Sequence, residues 1–317
     1  MVLYIIGLGL ADEQDITLKG LNAVRSSERI YLESYTSILM VEGFKERLTV
    51  ELESDAILES AATSNVSFLV VGDPLSATTH TDLILRARNA KPPVQVKIIH
   101  NASITTAIGS SGLAGYNFGQ TVSVPFWHAD WQPDSWLERI GENLRIGCHT
   151  LALGDIKVRE QSIEDMSRGV LRYQPPRYML IPQLISQVLA AAKAHDVDFL
   201  HPDKTLAIAL CRMGAETERI VSGTLQELHD LAEPSAEELA KEEQEDGEDE
   251  MASEADLEKR RAARREARAK AAYGEPLHSL VIVGRRLHPI ERTYGGMYAV
   301  EGSAWHEVAA NVYGCRE

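Results

Sequence analysis

The chain has 317 residues, of which 44% are hydrophobic and 25% charged, and its 32 Lys and Arg against 47 Asp and Glu leave a formal net charge of −15. That arithmetic excludes a small disulfide-stapled module, a low-complexity fibre and a chain too polar to build a core. It also argues against a nucleic-acid partner, because like charge repels the phosphate backbone that supplies most non-specific affinity.

The first ten residues are apolar, but no basic residue precedes them and Ala11, Asp12 and Glu13 follow directly. A secretory signal needs a positive start and a small-residue cleavage site, so residues 2–6 are predicted as a buried first strand. It breaks at Gly7-Leu8-Gly9, and Ile16, Leu18, Leu21 and Val24 then recur at helical spacing with Thr17 available as a cap. Residues 30–32 read as a short strand, and 35–64 are poorly patterned, with two weak helical stretches.

Residues 66–71 read as a strand closed by Gly72-Asp73-Pro74, followed by a helix over 81–88, a strand over 94–99 and a small-residue helix from Ser103 to about Gly112. Alternation at this spacing implies right-handed βαβ crossovers and a parallel sheet, a first α/β domain ending near Gly119. A second series has strands at 121–125, 150–155, 205–212 and 277–283 and a helix over 182–195. No run approaches the ~20 apolar residues of a membrane span, and Cys148, Cys211 and Cys315 lack metal spacing. A soluble, cytoplasmic protein with reduced thiols and no metal is expected.

One segment stands apart. Residues 233–256 hold twelve acids and one base, Lys241, while 257–273 hold seven bases and two acids. Such blocks are usually solvated, so 233–273 is expected to be a disordered, self-neutralising insertion.

Four turns at strand ends are candidates for chemistry. Gly7-Leu8-Gly9-Leu10 lets backbone approach a ligand closely, but Asp12 stands where a dinucleotide fingerprint needs its third glycine, an electrostatically wrong place for a pyrophosphate. A cofactor without phosphates would not object. Gly72-Asp73-Pro74, continuing to Ala77-Thr78-Thr79-His80, follows a buried strand, where open α/β sheets bind ligands, and Asp73 could equally be a cap. In His100-Asn101-Ala102-Ser103-Ile104 either Asn101 or Ser103 could cap the helix. Gly274-Glu275-Pro276-Leu277-His278 opens a strand. His80 and His278 by themselves read as structural.

Together with Asp155-Ile156-Lys157-Val158 and Pro175-Pro176-Arg177-Tyr178-Met179, these strings occur in the order that the diphthine synthases show, and the chain is similar to that family of the tetrapyrrole methylase superfamily over nearly its whole length. The resemblance implies two α/β domains, 1–119 and 120–317, the second interrupted by 233–273. It further implies S-adenosylmethionine in the cleft between them, no metal, and a homodimer. The implied substrate is the aminocarboxypropyl-bearing histidine of translation elongation factor 2, and the implied product is diphthine methyl ester. Family cofactor contacts map by motif onto Leu10, Asp73, Ser76, Ser103, Ile104, Gly154, Met213 and His278. No catalytic residue is assigned, and Asp73 is the candidate for a positioning or electrostatic role.

Methyl transfer is an in-line displacement that asks a protein to align the partners and exclude water, which accords with the lack of a nucleophile or metal cluster. The stretch 40–65 is shorter than in the family, Gly154 replaces a bulkier apolar residue, and Ser76 stands where Gly is frequent. Alternative readings are a methylase of the same superfamily acting on a tetrapyrrole or ribosomal RNA, and an inactive scaffold that binds elongation factor through the charged segment.

Overall fold

The computed structural model describes residues 1–33, 47–48, 50–128, 130–158, 160–161, 163–248 and 253–316. The chain forms two compact units, one of Met1–Ala107, Ile156–Arg177 and Met213–Glu216, the other of Ile108–Asp155, Tyr178–Arg212 and Thr217–Glu317. The division therefore falls at 107/108, not at the expected 119/120, and the first unit takes two later segments of chain.

The first unit runs β1 (Val2–Gly7), α1 (Leu18–Arg25), β2 (Arg29–Glu33), β3 (Arg47–Leu48), α2 (Val50–Thr63), β4 (Val66–Val70), α3 (Thr81–Asn89), β5 (Gln95–Ile99) and α4 (Ile104–Ala107). Its sheet, ordered β3-β2-β4-β1-β5, is parallel throughout. β1 lies between β4 and β5, so both its edges are paired, and with helices against both faces Leu3, Ile5 and Ile6 are fully buried. Leu3, Ile5, Phe68 and Val70 pack with Ile57 of α2 and with Leu83 and Ala87 of α3. On the opposite face Ile6, Leu8, Leu32 and Leu69 meet Ala23 of α1. Burial of each such side chain contributes roughly 1.5–3 kcal/mol. Thr17 caps α1 as expected, accepting from Gly20 N–H at 3.0 Å. Of the poorly patterned stretch 35–64, α2 occupies the last part, while 34–46 and 49 lie outside the described residues.

The chain continues through β6 (Val122–Val124), α5 (Ser135–Ile146) and β7 (Thr150–Gly154). β8 (Ile156–Lys157) and β9 (Arg177–Tyr178) flank α6 (Ile163–Ser167) and pair as a two-stranded ribbon. α7 (Ile181–Ala194), β10 (Leu206–Cys211), β11 (Arg219–Thr224), α8 (Leu225–Asp230), α9 (Ala236–Glu248), α10 (Glu254–Tyr273), β12 (His278–Ile282), α11 (Pro289–Gly296) and α12 (Trp305–Asn311) complete it. The second sheet, β11-β10-β12-β7-β6, is antiparallel except for β6 beside β7. Its strands β7, β10 and β12 pack with α5, α7 and α8 around Ile140, Ile181, Ile185, Val188 and Leu228.

In its described residues, 233–248 and 253–273, the charged segment is largely helical where a disordered insertion was expected. It folds as α9 and α10, whose opposite charges interlock: Arg261 and Arg264 bind Asp246 at 3.0 and 2.9 Å, Arg264 also binds Glu245 at 2.9 Å, and Arg268 binds Glu242. The end of α10 is part of the core, with Ala269 and Tyr273 buried and the Tyr273 hydroxyl donating to Leu228 O. Charge blocks that look solvated along the chain satisfy one another between two helices. Among the described residues no helix is long and apolar enough to cross a membrane.

Candidate functional site

Three turns of the first unit are tied into one assembly. Gly9 and Gly72 exchange backbone hydrogen bonds, N–H to O at 3.3 and 2.6 Å, joining the turn after β1 to that after β4. Both have positive φ, 91° and 76°, where a side chain costs energy. A Cβ on Gly7 would stand 2.5 Å from Gly72 O and 2.8 Å from Asn101 Cβ. Asn101 supplies the third connection, its Nδ2 donating to Gly7 O and Asp15 O at 3.0 Å each.

Asp73, 6% exposed, organises this assembly. One carboxylate oxygen accepts from Leu75 N–H at 2.9 Å and Ser76 Oγ at 3.4 Å, the other from His100 Nδ1 at 2.7 Å and Asn101 N–H at 3.1 Å. Burial alone would push its pKa up, but the donors from Leu75, His100 and Asn101 outweigh burial and hold it below the usual carboxylate range. The carboxylate therefore stays charged, braced between two loops.

Six of the eight expected cofactor contacts belong to this unit: Leu10, Asp73, Ser76, Ser103, Ile104 and Met213. Ile104 opens α4, and Ser103, 5% exposed, bonds Thr105 Oγ1 at 2.7 Å through its hydroxyl. Asn101 does not cap this helix: its Nδ2 donates to the β1 turn and its Oδ1 accepts from Ala102 N–H at 2.8 Å. Met213 is 5% exposed, and the segment it begins lies against Leu10, since a Cβ on Gly214 would come within 2.9 Å of Leu10 Cβ. Asp15 is a residue that motif reading missed. Its Oδ2 accepts from Leu10 and Ala11 N–H at 3.1 and 2.8 Å, occupying donors that a dinucleotide turn would offer to phosphate.

Gly154 and His278 belong to the second unit and sit on neighbouring strands. Ser279 pairs with Leu153, which places His278 beside Gly154, and on its other side His278 pairs with Cys211 of β10. A Cβ on Gly154 would meet Met179 Cβ at 3.1 Å, so Met179 fills the space that a bulkier residue would take. His278 is 6% exposed, and burial pushes its pKa down to about 4, keeping the ring neutral at pH 7. Its Nε2 faces Gly274 O and Glu275 O, both at 3.1 Å, and so carries the proton. Nδ1 is then an acceptor, and it is buried without a partner among the described residues. An unmet buried acceptor is costly, and a partner carrying an N–H or O–H group would satisfy it. His80, by contrast, is structural, donating from Nδ1 to Pro74 O at 3.0 Å and packing edge-on against Phe68.

A family model for tetrapyrrole (corrin/porphyrin) methylases matches residues 2–229. The chain belongs to the tetrapyrrole methylases. This methylase is 43% identical over 312 residues to the diphthine methyl ester synthase of Emericella nidulans, a match covering 95% of this chain and 94% of that one. It is 44% identical over 306 residues to that of Saccharomyces cerevisiae, covering 92% and 88%. A crystal structure of a candidate diphthine synthase from Entamoeba histolytica superposes with a TM-score of 0.71 at 35% identity, covering 94% of this chain and 98% of that one. The family resemblance read from the motifs holds, and the tetrapyrrole methylase is a methyltransferase with the expected α/β architecture.

Proposed function

We propose that this methyltransferase uses S-adenosylmethionine to methylate the aminocarboxypropyl-modified histidine of translation elongation factor 2, forming diphthine methyl ester in diphthamide biosynthesis, as a cytoplasmic homodimer. The reading is supported above all by 43–44% identity over nearly full length to diphthine methyl ester synthases.

The residues present suit that donor. The acceptor Nδ1 of His278 fits an amine or hydroxyl of an adenosine half. The charged Asp73 and the Asp15-occupied turn favour a cation over a phosphate. The residues proposed to hold the donor are Leu10, Asp73, Ser76, Ser103, Ile104, Gly154, Met213 and His278. When bound, S-adenosylmethionine supplies an electrophilic methyl group on a positive sulfur. The contribution of this chain is to orient and to exclude water. Asp73 braces the β4 and β5 turns so that their backbone groups are fixed before substrate arrives, which removes reorganisation from the reaction barrier. Among the described residues no group of three or more His, Cys, Asp or Glu could hold a metal ion.

Mass spectrometry of elongation factor 2 carrying the aminocarboxypropyl histidine, after incubation with this protein and S-adenosylmethionine, tests the proposal. Four added methyl groups are expected. Three would remove the ester step, and none would overturn the assignment.

A further inference from the structure

We infer that Arg212 is the positioning residue that sets His278 in its ligand-accepting orientation. The inference rests on the methyl-donor reading above.

Arg212 follows the end of β10 and has a φ of +52°, a left-handed conformation that a non-glycine residue adopts only when its surroundings hold it there. Its backbone N–H donates to Leu277 O at 2.9 Å. Its guanidinium donates from Nη1 to Pro276 O at 2.8 Å and from Nε to Thr217 Oγ1 at 2.6 Å. His278 donates to the two preceding carbonyls, Gly274 O and Glu275 O. Four successive carbonyls, 274 to 277, are thus committed, two to His278 and two to Arg212. The tautomer of His278 depends on this arrangement. With Gly274 O and Glu275 O held toward it, Nε2 keeps the proton and Nδ1 keeps the lone pair that a ligand can use. The positive charge of Arg212 acts in the same direction, adding to burial in disfavouring a protonated ring. Lysine cannot substitute, because a rigid fork is needed to reach a carbonyl and a hydroxyl together.

The test is calorimetric titration of S-adenosylhomocysteine into the full chain, comparing wild type, Arg212→Met, Arg212→Lys, His278→Ala and the double variant Arg212→Met/His278→Ala. Arg212→Met and His278→Ala are each expected to weaken binding about tenfold, with Arg212→Lys close to Arg212→Met. The double variant should bind no more weakly than His278→Ala alone, because Arg212 acts through His278. In parallel, ring nitrogen shifts of His278 should report an unprotonated Nδ1 in wild type and mixed tautomers in Arg212→Met. Wild-type affinity in Arg212→Met, or losses that multiply in the double variant, would overturn the role. Should Arg212→Met fail to fold, Thr217→Val, which removes only the Nε partner, must show a smaller loss that vanishes in the His278→Ala background, and a loss that persists there counts against it. No binding by wild type would remove the methyl-donor reading, and this role with it.

Discussion

His100 Nδ1 lies 2.7 Å from Asp73 Oδ2, so the turn after β5 is fastened to the turn after β4 through a single carboxylate. Asp73→Asn keeps the shape but replaces one acceptor oxygen by a donor, facing a donor already there. We expect it to lower stability by about 2 kcal/mol and to weaken S-adenosylhomocysteine binding at least tenfold. Urea denaturation and calorimetry measure the two effects, and unchanged affinity in a folded variant would remove Asp73 from the site.

Gly7→Ala is expected to be worse than its small size suggests. The added methyl would stand 2.5 Å from Gly72 O and 2.8 Å from Asn101 Cβ, backbone and side chain of the two turns it must pass between. Overpacking of this kind costs about 1–3 kcal/mol. Thermal unfolding should show the loss, together with disappearance of cofactor binding.

A second carboxylate braces the other unit. Glu291, 3% exposed, accepts from Ala114 N–H and His288 N–H, both at 2.7 Å, and from His149 Nε2 at 3.4 Å. Burial alone would raise its pKa, but these hydrogen bonds, led by that from His149, bring it down to about 2 from 4.5. A depressed carboxylate binds its proton more readily in the unfolded chain, so its stabilisation is complete above pH 4.5 and fades as pH falls toward 2. Glu291→Gln should therefore cost on the order of 2 kcal/mol at pH 7 and much less at pH 2. Urea midpoints at the two pH values decide it, and an equal loss at both would show that the charge is irrelevant.

The charged hairpin divides into a removable part and a fixed part. Tyr273→Ala should destabilise by about 3–5 kcal/mol, the range for emptying a large aromatic site, because Tyr273 is fully buried and packs edge-on against His278. Arg264→Ala should cost less, and its cost should shrink in high salt as the ion pairs are screened. Replacing residues 236–265 by a short Gly-Ser linker should leave methylation intact, whereas removing 233–273 should abolish folding. A large loss of turnover on elongation factor alone after the shorter replacement would make the hairpin a docking element.

Much of the first unit can be read directly from residues 2–6 and 66–71, where central strands are written as mainly apolar runs, and from 94–99, where the edge strand β5 alternates apolar and polar residues. The turns at Gly72-Asp73-Pro74 and His100-Asn101 were likewise visible, as interruptions of those runs. What sequence reading missed depends on how the chain turns back on itself, locally or over long stretches. Asp15 reads as an ordinary surface acid until Leu10 and Ala11 turn their N–H groups onto it. Glu291 reads likewise until Ala114 and His149 approach from more than a hundred residues away. The charged segment failed for the same reason: the acids of α9 and the bases of α10 look like separate solvated blocks until the two helices meet. One signal was available and unused. Thr224 and Glu227 form a reciprocal capping box, a spacing that marks the start of α8 in the sequence alone.

The occupation of the Leu10 and Ala11 N–H groups by Asp15 bears on competition inside a cell. Adenosine triphosphate shares its adenosine half with the proposed methyl donor, so a site that reads only that half would be filled by nucleotide. Here the polyphosphate would meet Asp15 in place of open backbone donors, with Asp12 and Asp73 in the same unit. A cationic sulfonium ligand meets no such penalty. On the proposed reading, one aspartate that touches no substrate makes the pocket selective against the most abundant molecules resembling its own ligand.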